Sequence, residues 1–179
     1  MIITVSGPPG TGTSTLSRIL AKELGLRRVN SGDLFRKIAD DRGISVGELG
    51  RIAEEGPEID YLIDDAQKAM ALEAGGVFEG RISAHVLDAD LKILLKADRK
   101  VRAERIASRE KKLVEDALRE SRVREECEAR RYEKYYNIDV SDFSVYDLVI
   151  DSGTWNERGV SAIALAAVRS IEDGGKPSI

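Results

Sequence analysis

The stretch ITVSGPPGTGTST, residues 3–15, limits what this chain can fold into more than any other part of it. A β-branched run closes on glycine, and a Gly/Pro/Thr loop then leads into an apolar helical pattern. That is the strand–loop–helix setting of a phosphate-binding loop, whose pattern is G-x-x-x-x-G-K-[ST]. Gly7 and Gly12 supply the two glycines and Ser14 the hydroxyl, but Thr13 stands where the lysine is expected. Backbone N–H groups in such a loop make a concave anion nest, and the dipole of the following helix adds to it. Most of this machinery is backbone and survives the loss of the lysine. The residues expected around bound phosphates are therefore Gly7, Pro8, Pro9, Gly10, Thr11, Gly12, Thr13, Ser14 and Thr15, with Ser14 able to ligate Mg²⁺. The competing reading is a glycine turn in an ordinary α/β domain. The loop's place at the first strand–helix junction favours phosphate.

The chain has 179 residues, most simply one domain with a sizeable core. With 42% hydrophobic and 34% charged residues it reads as globular rather than disordered. A net charge of −4 gives no reason to expect a nucleic-acid partner. No apolar run reaches transmembrane length, so no membrane partner is expected. Met1 leads straight into a strand, with no basic leader before it. Cys127 is the only cysteine, which fits a reducing cytoplasm. Cys127 and His85 together cannot build a zinc site of the usual kind, and both read as structural. A monomer is expected, and the tail DGGKPSI (173–179) is expected to fray.

Along the chain, strands and helices alternate. Strands are expected at MIITVS, LRRVN, GVFEG, LKILLKA and YDLVI. Helices are expected at STLSRILAKELG, closed by Gly25, at SGDLFRKIADD and at SVGELGRIAEE. The last of these opens on a Ser45/Glu48 capping box. A further helix begins at Pro57, a residue suited to a first helical position. Its stripe of Ile59, Leu62, Ile63, Ala66 and Met70 ends at Gly75 and Gly76. A long charged helical region runs from about Asp98 to Tyr136 with a break near Lys111, and SAIALAAVRSI is the last helix. This order predicts an α/β fold, a five-stranded parallel sheet flanked by helices, with its ligands at the carboxyl ends of the strands. The nearly all-helical segment 31–74 is longer than a crossover needs and is a candidate movable cap.

Three further groups of residues bear on the chemistry. NSGDLFR places Ser31, Asp33 and Arg36 after the second strand; the plainer reading is a helix capped by Ser31 with an Asp33–Arg36 ion pair. VFEGR ends a buried strand on Glu79, where a carboxylate can hold Mg²⁺ through water, and Arg81 follows. Nine arginines lie from Arg99 to Arg131 among eight carboxylates. Arg102, Arg105 and Arg109 share a helical spacing opposite Ala103, Ile106 and Ala107, and Arg124, Glu128 and Arg131 share another. Such runs are usually a solvated face. A lid whose arginines close over phosphates is the sharper reading, and it fits fewer of these arginines.

Together and in this order, these motifs resemble the nucleoside monophosphate kinases, and among them the archaeal type of cytidylate kinase. The residues that carry the likeness are Ile3–Thr15, SGDLFR (31–36), PEID (57–60), FEGR (78–81), Arg122–Tyr132, YYNID (135–139) and YDLVIDS (146–152). The resemblance spans nearly the whole chain. It implies a core (1–30, 75–108 and 120–179), a monophosphate-binding cap (31–74) and a lid (about 109–119). It implies transfer of a phosphoryl group from ATP, with Mg²⁺, to CMP and also dCMP. By analogy Arg36 and Arg81 hold the acceptor phosphate, with Ser31, Asp33, Asp60 and Glu128 beside it. Arg105 sits at the donor, and Arg109, Arg124 and Arg131 act on the transferred group. Arginines from elsewhere in the sequence then cover for the missing lysine.

Two rivals stand beside this reading. One is a kinase for UMP, AMP or another small acceptor, since the choice of base rests on a few contacts. Arg51, Asp60, Asp64, Asp65 and Gln67 are the unranked candidates for those contacts. The other is a non-catalytic nucleotide-binding regulator that lost activity with its lysine. The retention of Glu79 and the arginine set argues against it, because a pure binder needs fewer of them.

Overall fold

The computed structural model describes residues 1–174, so the last five residues of the tail expected to fray lie outside the described residues. Strand β1 (Ile2–Ser6) runs into helix α1 (Thr13–Leu24) through the glycine loop. Next come β2 (Arg28–Asn30), α2 (Ser31–Asp41), α3 (Val46–Glu55), α4 (Glu58–Ala74) and β3 (Gly76–Glu79). A short α5 (Ser83–Val86), β4 (Leu91–Lys96), α6 (Arg99–Glu110), α7 (Val114–Tyr136), β5 (Leu148–Asp151) and α8 (Glu157–Glu172) complete the order. The five strands form one sheet in the order β2-β3-β1-β4-β5, every pair parallel. The expected α/β class and five-stranded parallel sheet are what the structure contains.

The sheet is buried on both faces, as parallel sheets are. Ile3 and Val5 of β1, Ile93 and Leu95 of β4 and Ile150 of β5 pack under Leu16 and Leu20 of α1 and Val160, Ala164 and Val168 of α8. The other face is covered through Val29, Ala71, Phe78 and Leu87. Two small cores stand apart from these layers. One joins α2, α3 and α4 through Ala39, Leu49, Ala53, Ile59 and Ile63; the other joins α6 to α7 through Ala103, Ile106, Ala107 and Ala117. The helices on either side of the loops at the strand ends thus have cores of their own.

The turns differ from expectation in four places. Asn30, not Ser31, caps α2, its Oδ1 accepting from Asp33 N at 3.0 Å. Pro57 is the residue before α4 rather than its first. Helix α8 begins four residues earlier than its apolar run, because Asn156 caps it by accepting from Gly159 N. Helix α5 was not expected, being too short to show a period. The break at Lys111 is real: this residue adopts a left-handed φ of 54° and ends α6. The Ser45/Glu48 capping box also forms.

Candidate active site

The glycine loop is held from both ends. Thr11 donates its N–H and hydroxyl to Pro8 O at 3.2 and 2.7 Å. Helix α6 presses on its outer side: Arg102 donates to Pro9 O at 3.2 Å, and Arg105 donates to Gly10 O at 3.3 Å and Ser152 O at 2.6 Å. Gly10 has a φ of 87°, and a Cβ on it would lie 2.6 Å from Arg102 O, so only glycine fits. Gly12 precedes α1 in the left-handed region, and no side chain caps that helix. By contrast Asn30, Ser45 and Asn156 cap α2, α3 and α8. The first N–H groups of α1 are therefore left for an anion. Gly7, Pro8, Pro9, Gly10, Thr11, Gly12, Thr13, Ser14 and Thr15 all lie in this loop and the first turn of α1.

Below the loop, Glu79 gathers hydrogen bonds at the end of β3. Ser14 and Thr13 donate to its Oε1, the latter at 3.1 Å; Ser17 and Arg28 donate to its Oε2 at 2.9 and 2.5 Å. Burial pushes its carboxyl up, but bonds from Ser14, Asn30, Arg28 and Ser17 outweigh this and hold it below the usual range. Ser14 and Glu79 thus place a hydroxyl and a charged carboxylate side by side next to the anion nest. Among the described residues no cluster of three or more acidic, histidine or cysteine side chains forms a cation cage. This donor set suits Mg²⁺ brought in on a nucleotide, which keeps much of its water.

A second charged group lies across the loop. Glu128 of α7 is buried and accepts from Arg81 Nε at 2.7 Å and Arg124 Nε at 2.8 Å. Burial raises its carboxyl; the charges of Arg81 and Arg124 bring it below the ordinary range. Each arginine spends its Nε on Glu128 and keeps its terminal nitrogens for a ligand, the fork that suits a phosphate. One turn farther along α7, Arg131 Nε lies 2.7 Å from Asp60 Oδ2 of α4. The two atoms make an ion pair but no hydrogen bond of acceptable angle, and both are otherwise unpartnered and buried. Arg131 is thus held in place by Asp60 through its Nε. Ser31 and Arg36 lie on α2, and Arg36 Nη2 is 2.5 Å from Asp33 with both side chains more than half exposed. Arg109 lies at the exposed end of α6, paired with Glu110 at 2.6 Å.

Farther out, Tyr136 donates to Asp64. Burial pushes the Asp64 carboxyl up to about 6, with the Tyr136 hydrogen bond offsetting only part of this and the Asp60 charge adding to it. The folded state therefore keeps a proton that the unfolded chain releases between the model-compound value of 3.8 and about 6. Asp64 then costs stability as pH rises through that window. Asp64→Asn, always neutral, should gain thermal stability relative to the wild type between pH 5 and 7. Melting curves of both proteins at the two pH values check this, and an unchanged difference would count against it.

Two clefts flank the charged groups. One, of about 350 Å³, is bounded by Thr11, Gly12 and Thr15 of the loop, Arg105, and Trp155 and Asn156 beyond β5. The other, of about 450 Å³, lies between Asp64 and Lys68 of α4, His85 of α5 and Tyr136 of α7. Of the residues considered for reading a base, Asp64 and Asp65 line this second cleft, Gln67 is buried and accepts from Ser83 at 2.7 Å, and Arg51 is exposed.

Sequence reasoning missed several participants. Arg28 and Ser17 at Glu79 carried a signal. Period two puts Arg28 on the same face of β2 as Asn30, and Ser17 lies one helical turn after Ser14. By spacing, Arg102 groups with Arg105 and Arg109 on one face. It is instead buried on the inner side, bonded to Glu125 at 2.5 and 3.3 Å as well as to the loop. Trp155 left no periodic signal, because it lies in the turn after β5.

Residues 2–154 match the cytidylate kinase-like family. A cytidylate kinase of Methanothrix thermoacetophila is 65% identical over 172 residues, covering 96% of this chain and 100% of that one. A cytidylate kinase of Archaeoglobus fulgidus is 49% identical over 170 residues, covering 94% of each. Among solved structures, a shikimate kinase from Bacteroides thetaiotaomicron shares the fold, with a TM-score of 0.61 at 14% identity over 94% of this chain and 98% of that one. With a phosphate loop, a paired Ser14–Glu79 and a carboxylate-braced set of arginines already in place, matches of this extent leave one assignment: the chain belongs to the cytidylate kinase-like family.

Proposed function

We propose that this protein transfers the γ-phosphoryl group of ATP to CMP, forming ADP and CDP, and that dCMP is a second acceptor. The observation that carries the reading is Glu128 holding Arg81 and Arg124 by their Nε atoms, with both forks free for phosphate beside the loop. A phosphate oxygen of CMP forms the new bond to the γ-phosphorus as the bond to the β–γ bridging oxygen breaks. Such a transfer asks the protein for in-line positioning and positive charge rather than covalent chemistry. Arg81 and Arg36 would hold the acceptor phosphate, with Ser31 and Asp33 beside them. Arg124 and Arg131 would face the transferred group, and Asp60 and Glu128 would keep the arginines aimed. Arg109 would join them only on closure of a lid at about 109–119 over the donor, with 31–74 closing as the cap over CMP. Ser14 and Glu79, the latter through water, would hold Mg²⁺, which would supply positive charge against the phosphates.

The donor's adenosine would occupy the cleft between Arg105 and Trp155. Trp155 is the only tryptophan and is 52% exposed. Its emission should change when ATP is titrated in and stay constant with CMP alone. A response to CMP but not ATP would reverse the donor and acceptor sides. Among the described residues no helix is long and apolar enough to cross a membrane. Free nucleotide substrates and a lone thiol suit a cytoplasmic monomer.

A coupled assay of ADP release tests the function across CMP, dCMP, UMP, AMP and shikimate. CMP is expected to give the highest kcat/KM, with dCMP next. Higher turnover of shikimate, or no acceptor-dependent ADP release at all, would overturn the assignment.

A further inference from the structure

Thr13 brings only a hydroxyl to Glu79, and a cation reaches this carboxylate from its other side. Glu79 is buried and ends a strand directly beneath the loop. A carboxylate there needs a charge partner, because an unpaired buried charge is costly. The loop supplies only hydroxyls, from Thr13 and Ser14, and both go to Oε1. The other oxygen, Oε2, faces Ser17 and the guanidinium of Arg28. Arg28 is fixed in turn: its Nε donates to Ser17 Oγ at 2.8 Å, and its backbone pairs with Val77 two residues before Glu79 on β3. The other arginines near the loop are engaged elsewhere. Arg102 and Arg105 bond to the loop's carbonyls, Arg81 and Arg124 to Glu128, Arg131 pairs with Asp60, and Arg109 with Glu110.

We propose that Arg28 is a positioning residue for the metal side of the site: by holding Glu79 Oε2 it turns Oε1 toward Ser14 and the Mg²⁺ seat. The inference rests on the kinase reading and adds to it a residue that acts through Glu79 rather than on phosphate. Because Arg28 and Ser17 grip only one oxygen, the other stays free to exchange its hydroxyl donors for the water shell of the incoming cation.

The test compares binding of ATP with and without Mg²⁺ by calorimetry, no acceptor present, alongside steady-state rates. The wild type should bind Mg²⁺·ATP more tightly than ATP alone. In Arg28→Ala that advantage should shrink by about 10- to 100-fold, the usual consequence of removing a partner behind a metal ligand. The Mg²⁺ concentration for half-maximal rate should rise by a similar factor, while metal-free ATP binding is kept. Arg28→Lys should recover most of the advantage. If Arg28→Ala does not fold, Arg28→Gln, which keeps a donor but no charge, should show the same loss. A mutant that retains the full Mg²⁺ advantage, or that weakens ATP and Mg²⁺·ATP equally, overturns the proposal and leaves the kinase reading standing. A wild type that binds no adenine nucleotide overturns both.

Discussion

Arg124→Ala is expected to lower kcat by about 10³-fold or more, the lower end of what an arginine acting on a transferred phosphoryl group contributes. The KM for CMP should change far less. The basis is the division of labour around Glu128. Arg81 and Arg124 bond to it through equivalent atoms, but Arg81 follows β3 and is largely buried, whereas the Arg124 side chain is 65% exposed on α7. In the proposed role the exposed arginine would reach the transferred group when both nucleotides are bound. Arg124 reaches the buried Glu128 from the exposed side, so its loss should cost less stability than the loss of Arg81. Glu128 keeps Arg81, and no buried charge is stranded. A melting temperature that falls less than that of Arg81→Ala, with a collapsed kcat, is therefore the expected signature. A kcat within tenfold of wild type would mean that Arg124 does not touch the transferred group, and Arg131 would inherit the role.

Much of the architecture is written in local pattern. The buried runs of β1 and β4, the glycine at the end of α1, the Ser45 capping box and the break at Lys111 each depend on near neighbours, and each is found where its residues indicate. The site is legible to the extent that motifs place residues at strand ends: the loop, Glu79 and Arg81 need only the rule that parallel sheets bind ligands at their carboxyl edges. What pairs with what is not local. Glu79 meets Arg28 across 51 positions and Glu128 meets Arg81 across 47. Nothing in a helical period foretells these meetings. Arg102 shows the limit most clearly. Spacing alone groups it with Arg105 and Arg109, yet Glu125 and the carbonyl of Pro9 offer it enough bonds to be buried. The solvated-face reading of the charged region holds for pairs such as Arg119–Asp116 and Arg122–Glu126, whose partners lie within one turn. It fails where a long-range acid is waiting.

Arg81→Ala should damage both stability and catalysis, and the two losses can be separated. Arg81 is 18% exposed in its side chain and is the better-buried partner of Glu128. Removing it leaves a buried carboxylate with only the exposed Arg124 to balance it. Breaking a buried pair in this way costs about 3–5 kcal/mol. For a chain of this size each kcal/mol is worth about 2–4 °C, so the melting temperature should fall by about 6–20 °C. In the proposed role Arg81 gives the acceptor a charge-assisted fork worth about 1.5–3 kcal/mol, and its loss would mean a drop of about 10- to 150-fold in kcat/KM for CMP. Adding Glu128→Gln to Arg81→Ala removes the stranded charge and should return a good part of the stability without returning the activity. The same logic fixes the pH response of the single mutant. Without Arg81 the Glu128 carboxyl loses one of the two charges that hold it low, so its folded-state value rises. A raised carboxyl favours the folded state in acid, and the gap in stability between wild type and Arg81→Ala should narrow as pH falls from 7 to 5. If the double mutant is no more stable than Arg81→Ala and the gap does not narrow, Glu128 is not carrying a buried charge. If kcat/KM for CMP is unchanged in the single mutant, Arg81 does not hold the acceptor phosphate, whatever its part in the fold.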